Sequence, residues 1–257
     1  MIQVHNLAIG TRLLPASLSF PEGQLTHVIG PNGSGKSTLL AALAGVLDYN
    51  GQVEIAGMDL AEMSLPDMAT IRAYLPQAAR PAFNMPVYQY LSLSIPNDQN
   101  GSRGKISEAT LNQAISDITA LLKLDTMLSR TVHHLSGGEW QRVRLAACCL
   151  QIWRPLNPHS KVLILDEPAA PLDVGQEKYL NQLIELVTSQ GLSVVVANHD
   201  LNTTLRRADH VVMLNNGVVE AVGTGDEVLT PENIESVYQT SVSKIEVNGK
   251  PLLIFNE

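Results

Sequence analysis

Gly30-Pro31-Asn32-Gly33-Ser34-Gly35-Lys36-Ser37 decides the fold of this chain. The stretch matches the phosphate-loop pattern G-x-x-x-x-G-K-[ST] in full, and its flanks match as well. Leu25-Thr26-His27-Val28-Ile29 ahead of it is an apolar run of strand length. Lys36–Leu47 behind it is an apolar run of helical length that stops before Asn50-Gly51. A strand that turns through glycines into a helix aims backbone N–H groups and the positive end of a helix at one point, the geometry a phosphate needs. Gly33 and Gly35 permit close backbone approach. Lys36 is placed to reach β- and γ-phosphates, the Ser37 hydroxyl to ligate Mg²⁺, and Thr38 to contact the α-phosphate. By itself the loop implies a nucleotide and no more, because kinases, GTPases and motors all carry it.

A second half of a phosphate site follows later in the chain. Val162-Leu163-Ile164-Leu165-Asp166-Glu167 is an apolar strand ending in two carboxylates. The C-terminal ends of parallel strands border the ligand crevice in sheets of this kind. Asp166 is therefore placed to hold a Mg²⁺ shell, and Glu167 to orient and polarise an attacking water as general base. Past the next strand, Ser193–Ala197, the run Asn198-His199-Asp200 puts His199 at another strand end. An imidazole there can donate to a γ-phosphate, although alone it reads as an ordinary turn histidine. Lys161–Leu165 and Ser193–Ala197, separated by a helix over Gly175–Gln190, indicate an α/β fold with a parallel sheet covered on both faces.

From about Ala78 to Gln151 the apolar periodicity becomes helical, as in Leu111–Leu124, with a polar loop at Asn97–Lys105. One domain over 1–257 with a helical subdomain inserted at about 78–151 is the expected organisation. The net charge is −8 and the Lys and Arg residues are scattered, so nothing resembles the basic stripe that nucleic acid requires. No run is apolar and long enough to span a bilayer; Pro81–Asn97 comes nearest and is broken by Asn84, Pro86, Gln89, Ser92 and Ser94. The N-terminus shows no secretory signal pattern. Cys148 and Cys149 are neighbours in a helical stretch, point about 100° apart, and are expected as unpaired core thiols. His5, His27, His133, His134, His159 and His210 have no metal-ligand spacing.

Leu135-Ser136-Gly137-Gly138-Glu139, followed by Trp140-Gln141-Arg142-Val143-Arg144, narrows the function. Ser136 reads as a helix N-cap with Glu139 completing a capping box, and that arrangement exposes N–H groups as a second, smaller phosphate cradle. The stretch resembles the signature motif of the ABC ATPases, where it also lies ahead of the acidic strand end. The resemblance covers nearly the whole chain. It implies a P-loop NTPase core with a mainly parallel sheet, an N-terminal antiparallel β subdomain and an inserted helical subdomain. It also implies a head-to-tail dimer, with each ATP between Gly30–Thr38 of one subunit and Ser136–Glu139 of the other. In this pattern Gln77 is the Q-loop glutamine, serving catalysis and the metal. Asp173 is the D-loop aspartate beside the nucleotide, and His199 is the switch histidine.

Within the family, Arg72–Leu75, Pro86–Leu91, Leu135–Ile152, His199–Asn202 with Thr204–Arg206, and Glu227–Pro231 resemble the ATP-binding subunits of vitamin B12 (cobalamin) importers, a subgroup shared with haem and iron-siderophore importers. This implies an ATPase on the cytoplasmic face of the inner membrane, peripheral through transmembrane permease subunits and working indirectly with a substrate-binding protein. Ala78–Leu93 is the expected permease-docking stretch, although Phe83, Tyr88 and Tyr90 would equally fill the helical subdomain's core. Two departures stand out. No aromatic residue lies in His5–Leu13 to stack on adenine, which leaves Arg12 or Leu13 for the base, and Ala170 replaces the usual D-loop hydroxyl. A soluble ABC ATPase of DNA repair would need a coiled coil or zinc hook between the motifs. A non-catalytic regulator is opposed by intact Lys36, Asp166, Glu167 and His199.

Overall fold

The computed structural model describes residues 1–77, 81, 83–96 and 106–256. The polar loop expected at Asn97–Lys105 lies outside the described residues, as do Ala78, Ala79, Arg80 and Ala82 of the expected docking stretch. In chain order the elements are β1 (Ile2–Ile9), β2 (Leu13–Phe20), β3 (Leu25–Ile29), α1 (Lys36–Leu43), β4 (Asn50–Ile55), β5 (Met58–Asp59), α2 (Leu65–Ile71) and β6 (Arg72–Leu75). There follow α3 (Val87–Ser92), α4 (Glu108–Leu121), α5 (Gly137–Ile152), β7 (Val162–Asp166), α6 (Val174–Ser189), β8 (Ser193–Ala197) and α7 (Leu201–Arg207). The chain ends with β9 (His210–Asn215), β10 (Val218–Gly223), α8 (Gly225–Val228), α9 (Pro231–Tyr238), β11 (Val242–Val247) and β12 (Lys250–Phe255).

The main sheet has the order β10-β9-β3-β8-β7-β6, parallel except for β10. Alternation along its central strands explains why they read as continuous apolar runs. Val162 and Ile164 of β7 and Val195 and Ala197 of β8 join the core shared with α1 and the N-terminal strands. Leu163 and Leu165, with Val194 and Val196, join the core under α3–α6. Both faces are covered, which favours apolar residues at successive positions. The antiparallel sheet β2-β1-β4-β5 closes the first core, as the family resemblance implies.

Helix α1 ends at Leu43 rather than Leu47, because Gly45 adopts φ +63° and terminates it, its N–H returning to Ala42 O. Tyr90 packs edge-on against Trp140 with ring centroids 4.9 Å apart, inside the helical core, whereas Phe83 and Tyr88 are exposed. The expectation for the three rings therefore divides between them. Cys148 and Cys149 are buried and free, and burial pushes the Cys148 thiol up to about 12.

The C-terminal hairpin β11–β12 forms its own sheet against α7. Val242 and Leu253 enter a third core with Leu201, Leu205 and α9. A reciprocal pair fixes the register: Asn202 Nδ2 donates to Leu253 O at 3.1 Å and Leu253 N donates to Asn202 Oδ1 at 2.8 Å. Asn202→Ala is expected to cost about 1–3 kcal/mol by urea titration, since it leaves two half-buried backbone groups unmatched. Amide exchange should quicken at Leu253 and its hairpin neighbours ahead of the main sheet.

Candidate active site

Four adjacent parallel strands deliver the candidate groups to one edge. β3 runs into the phosphate loop, β8 into His199, β7 into Asp166 and Glu167, and β6 into Gln77. Gly30 passes so close to β9 at φ +146° that a Cβ there would lie 2.1 Å from Leu214 O. Lys36 is buried and donates through Nζ to Gly30 O at 2.9 Å and Pro31 O at 3.0 Å. Ser37 Oγ donates to Asp166 Oδ1 at 3.0 Å. Ser34 Oγ is buried and has no hydrogen-bond partner among the described residues.

Glu167 is the centre of the arrangement. Its Oε2 accepts from Gln77 Nε2 at 2.6 Å, and its Oε1 pairs with His199 Nε2. Its backbone is left-handed, φ +49°, a conformation that strains a residue with a side chain and here turns the carboxylate off the end of β7. A cavity of about 860 Å³ is lined by Asn32–Thr38, Gln77, Glu167 and His199. Thr11, Arg12 and Asn216 complete its wall. Thr11 and Asn216 were not foreseen, and the Asn215-Asn216-Gly217 turn signal gives no hint that this hairpin tip reaches the phosphate loop. Leu13 is fully buried at the start of β2, so Arg12 is the residue of that pair that faces the cavity.

Ser136, Gly137, Gly138, Glu139 and Asp173 do not line that cavity. Ser136 caps α5 in a complete capping box: Glu139 N donates to Ser136 Oγ at 3.3 Å and Ser136 N to Glu139 Oε2 at 2.8 Å. Arg130 Nη1 meets Glu139 Oε1 at 2.8 Å while its Nη2 donates to His134 O at 2.9 Å. That hydrogen bond from Arg130, followed by the one from Ser136 N, holds the Glu139 carboxyl below the usual carboxylate range. Gly137 has open space above it, but a Cβ on Gly138 would lie 2.3 Å from Gln176 Oε1. Gln176 is the side chain that sequence reasoning missed here, and its Oε1 is buried without a partner among the described residues. Asp173 caps α6, accepting from Gln176 N at 2.8 Å. His27 of β3, which has no metal-ligand spacing, shares a 2.9 Å hydrogen bond with Thr204 Oγ1 of α7, and desolvation lowers its pKa to about 4, leaving it neutral.

A family model described as ABC transporter matches residues 13–170. This chain belongs to the ABC transporter family. The cassette is 53% identical over 256 residues to the vitamin B12 import ATP-binding protein BtuD of Vibrio atlanticus (strain LGP32), covering 99% of this chain and 100% of that protein. Among solved structures it resembles the ATP-binding subunit of an ABC transporter, with 25% identity and a TM-score of 0.76 over 88% of this chain and 91% of that one. A dimeric bacterial ABC transporter cassette matches at 22% identity and a TM-score of 0.72, over 87% and 98% of the two chains. The cassette is an ABC-type ATPase, with the fold expected from its sequence.

Burial sets the electrostatics of the cassette's two inner charges. Desolvation, outweighing the attraction of Glu167 and Asp166, lowers the Lys36 pKa. Desolvation also raises the Asp166 carboxyl, against the hydrogen bond from Ser37. The folded protein thus holds the Asp166 proton more tightly than the unfolded chain does. Ionised Asp166 costs stability above its folded pKa, and the cost vanishes as pH falls below the ordinary carboxylate value. Asp166→Asn should therefore melt higher than wild type at pH 7.5 without nucleotide, with the gap narrowing toward pH 4 in a series of thermal scans.

Proposed function

We propose that this chain hydrolyses ATP to drive import of vitamin B12 through a separate membrane permease, with Glu167 as general base. The observation that carries this is the carboxylate of Glu167, turned off β7 by a left-handed backbone and held between Gln77 and His199. A carboxylate with one oxygen on an amide donor and the other on an imidazole is held in a fixed direction at the cavity wall, as a base for a bound water must be. The near relative that is a vitamin B12 import ATP-binding protein supports the choice of cargo.

The phosphate loop fits a triphosphate. Lys36 Nζ, now on two loop carbonyls, would exchange them for β- and γ-phosphate oxygens, and Ser34 Oγ is a buried donor without a partner. Ser37 Oγ and the Asp166 carboxylate are hard oxygen donors of the kind Mg²⁺ takes, and would hold it with Gln77 at the cavity rim; when bound it offsets phosphate charge. Glu167 takes a proton from water as the water oxygen bonds to the γ-phosphorus. The bond from that phosphorus to the β–γ bridging oxygen breaks, giving ADP and phosphate. With nucleotide bound, His199 Nε2 would turn from Glu167 to a γ-phosphate oxygen, leaving the Gln77 hydrogen bond to hold the carboxylate. Arg12 supplies a flat guanidinium for the base in place of an aromatic ring.

The cassette works as a head-to-tail pair. Ser136–Glu139 lie away from the chain's own phosphate loop, and the open face of Gly137 leaves room for the γ-phosphate held by a second copy. Asp173 caps α6, whose Gln176 lies beside Gly138 of that half-site. The related dimeric cassette is consistent with such pairing. On this reading exposed Phe83, Tyr88 and Leu93, following Gln77, meet the permease, and the chain works at the cytoplasmic face of the inner membrane in indirect contact with a substrate-binding protein. Among the described residues no helix is long and apolar enough to cross a membrane.

Glu167→Gln should bind ATP and accumulate as a dimer by size exclusion while turnover falls at least about 100-fold; wild-type turnover would remove the base assignment. Arg12→Ala should raise KM for ATP roughly threefold to tenfold with kcat unchanged. In vesicles carrying the cassette and its permease, cobalamin-loaded binding protein should stimulate ATPase activity. Stimulation by haem- or siderophore-loaded protein instead would reassign the cargo.

A further inference from the structure

The inner face of α5 carries polar groups that the mechanism above does not use. Gln141 and Arg144 are 1% and 4% exposed and lie where α5 packs on β6. Arg144 Nη1 donates to Gln77 O at 3.3 Å and to Gln141 Oε1 at 2.9 Å, and its Nη2 donates to Pro76 O. Gln141 Nε2 donates to Pro168 O at 2.8 Å. Two side chains of one helix thus hold the backbone on both sides of the Gln77–Glu167 hydrogen bond: at Pro76 and Gln77 on one strand end, and at the residue after Glu167 on the other.

Arg144 is costly where it stands. Among the described residues it forms no ion pair, its donors end on neutral oxygens, and burial lowers its pKa. An apolar side chain of similar volume would fill such a site at less expense. Arg142 is the structural counterpart. It is also buried, but it donates to Leu122 O and Lys123 O at 2.8 and 2.9 Å, just past the end of α4, where a cation compensates the helix dipole. The carbonyls held by Arg144 close no helix. They belong to the segment that presents Gln77.

We propose that Arg144 and Gln141 are positioning residues that lock Gln77 and Glu167 into register for hydrolysis and tie that register to the signature helix. The inference rests on Glu167 being the general base. Because α5 begins at Ser136–Glu139, the half-site offered to a second copy, any displacement of α5 moves the Gln77 and Pro168 anchors together. Each chain's catalytic carboxylate is then set by how its own signature end sits on the other chain's nucleotide.

The test uses the full-length chain, with kcat from steady-state hydrolysis, ATP Kd from fluorescent-nucleotide titration, and thermal melting as a check of folding. Arg144→Met should lower kcat about 10- to 100-fold with Kd for ATP within about twofold of wild type. Arg144→Lys, which keeps charge but not the two-armed geometry, should fall between. In a Gln77→Ala background, Arg144→Met should lower kcat by no more than about twofold further, because both changes remove one function. Effects that multiply in the double variant, or a Kd that weakens in step with kcat, would reduce Arg144 to fold support and overturn the proposal. If Arg144→Met does not fold, Gln141→Met is judged by the same criteria. Glu167→Gln, measured alongside, separates two failures. If it turns over normally, the base assignment fails; if it is inactive while Arg144→Met is unaffected, only the positioning role fails.

Discussion

Parallel strands present all their C-terminal ends on one edge, and everything this cassette does chemically depends on that constraint. Neighbouring strands β3, β8, β7 and β6 bring Lys36, His199, Glu167 and Gln77 side by side although they lie far apart in sequence. The edge keeps its shape because Leu163, Leu165, Val194 and Val196 are buried against helices on one face while Val162, Ile164 and Val195 are buried on the other. Loosening either core would move one of these side chains relative to its neighbours, and the geometry of the proposed hydrolysis tolerates little of that.

The site carries an electrostatic load. Lys36 and Asp166 are both charged groups that burial disfavours, and Ser34 keeps a buried hydroxyl without a partner. Phosphate oxygens would relieve Lys36 and Ser34, and a Mg²⁺ bound with them would offset the Asp166 charge. Nucleotide binding is thus favoured by the release of penalties the fold already bears as well as by new contacts.

Much of this was legible in sequence because it is local. The phosphate loop lies between a strand and a helix that periodicity alone defines, and Ser136 with Glu139 forms the capping box their spacing announces. The limits of β8 were legible for the same reason. What was not legible depends on contacts between distant segments. Arg12 and Leu13 are adjacent, and only the pairing of β2 with β1 decides that Leu13 turns inward. Tyr88 and Tyr90 look alike in sequence until Trp140 is placed beside one of them. Gln141, Arg142 and Arg144 lie in a helix buried nearly all round, so their spacing says nothing about which carbonyls they meet. Gln176 gains meaning only once α6 lies against Gly138.

Glu167 has a bearing on how this sequence can change over generations. At φ +49° a glutamate is a poor choice for backbone stability, and glycine or asparagine would relax the turn. Random substitution under selection for folding alone would drift toward those residues. The carboxylate at this position serves the proposed hydrolysis and not the stability of the backbone. In a lineage that had lost its need for hydrolysis, position 167 is where relaxation would show first.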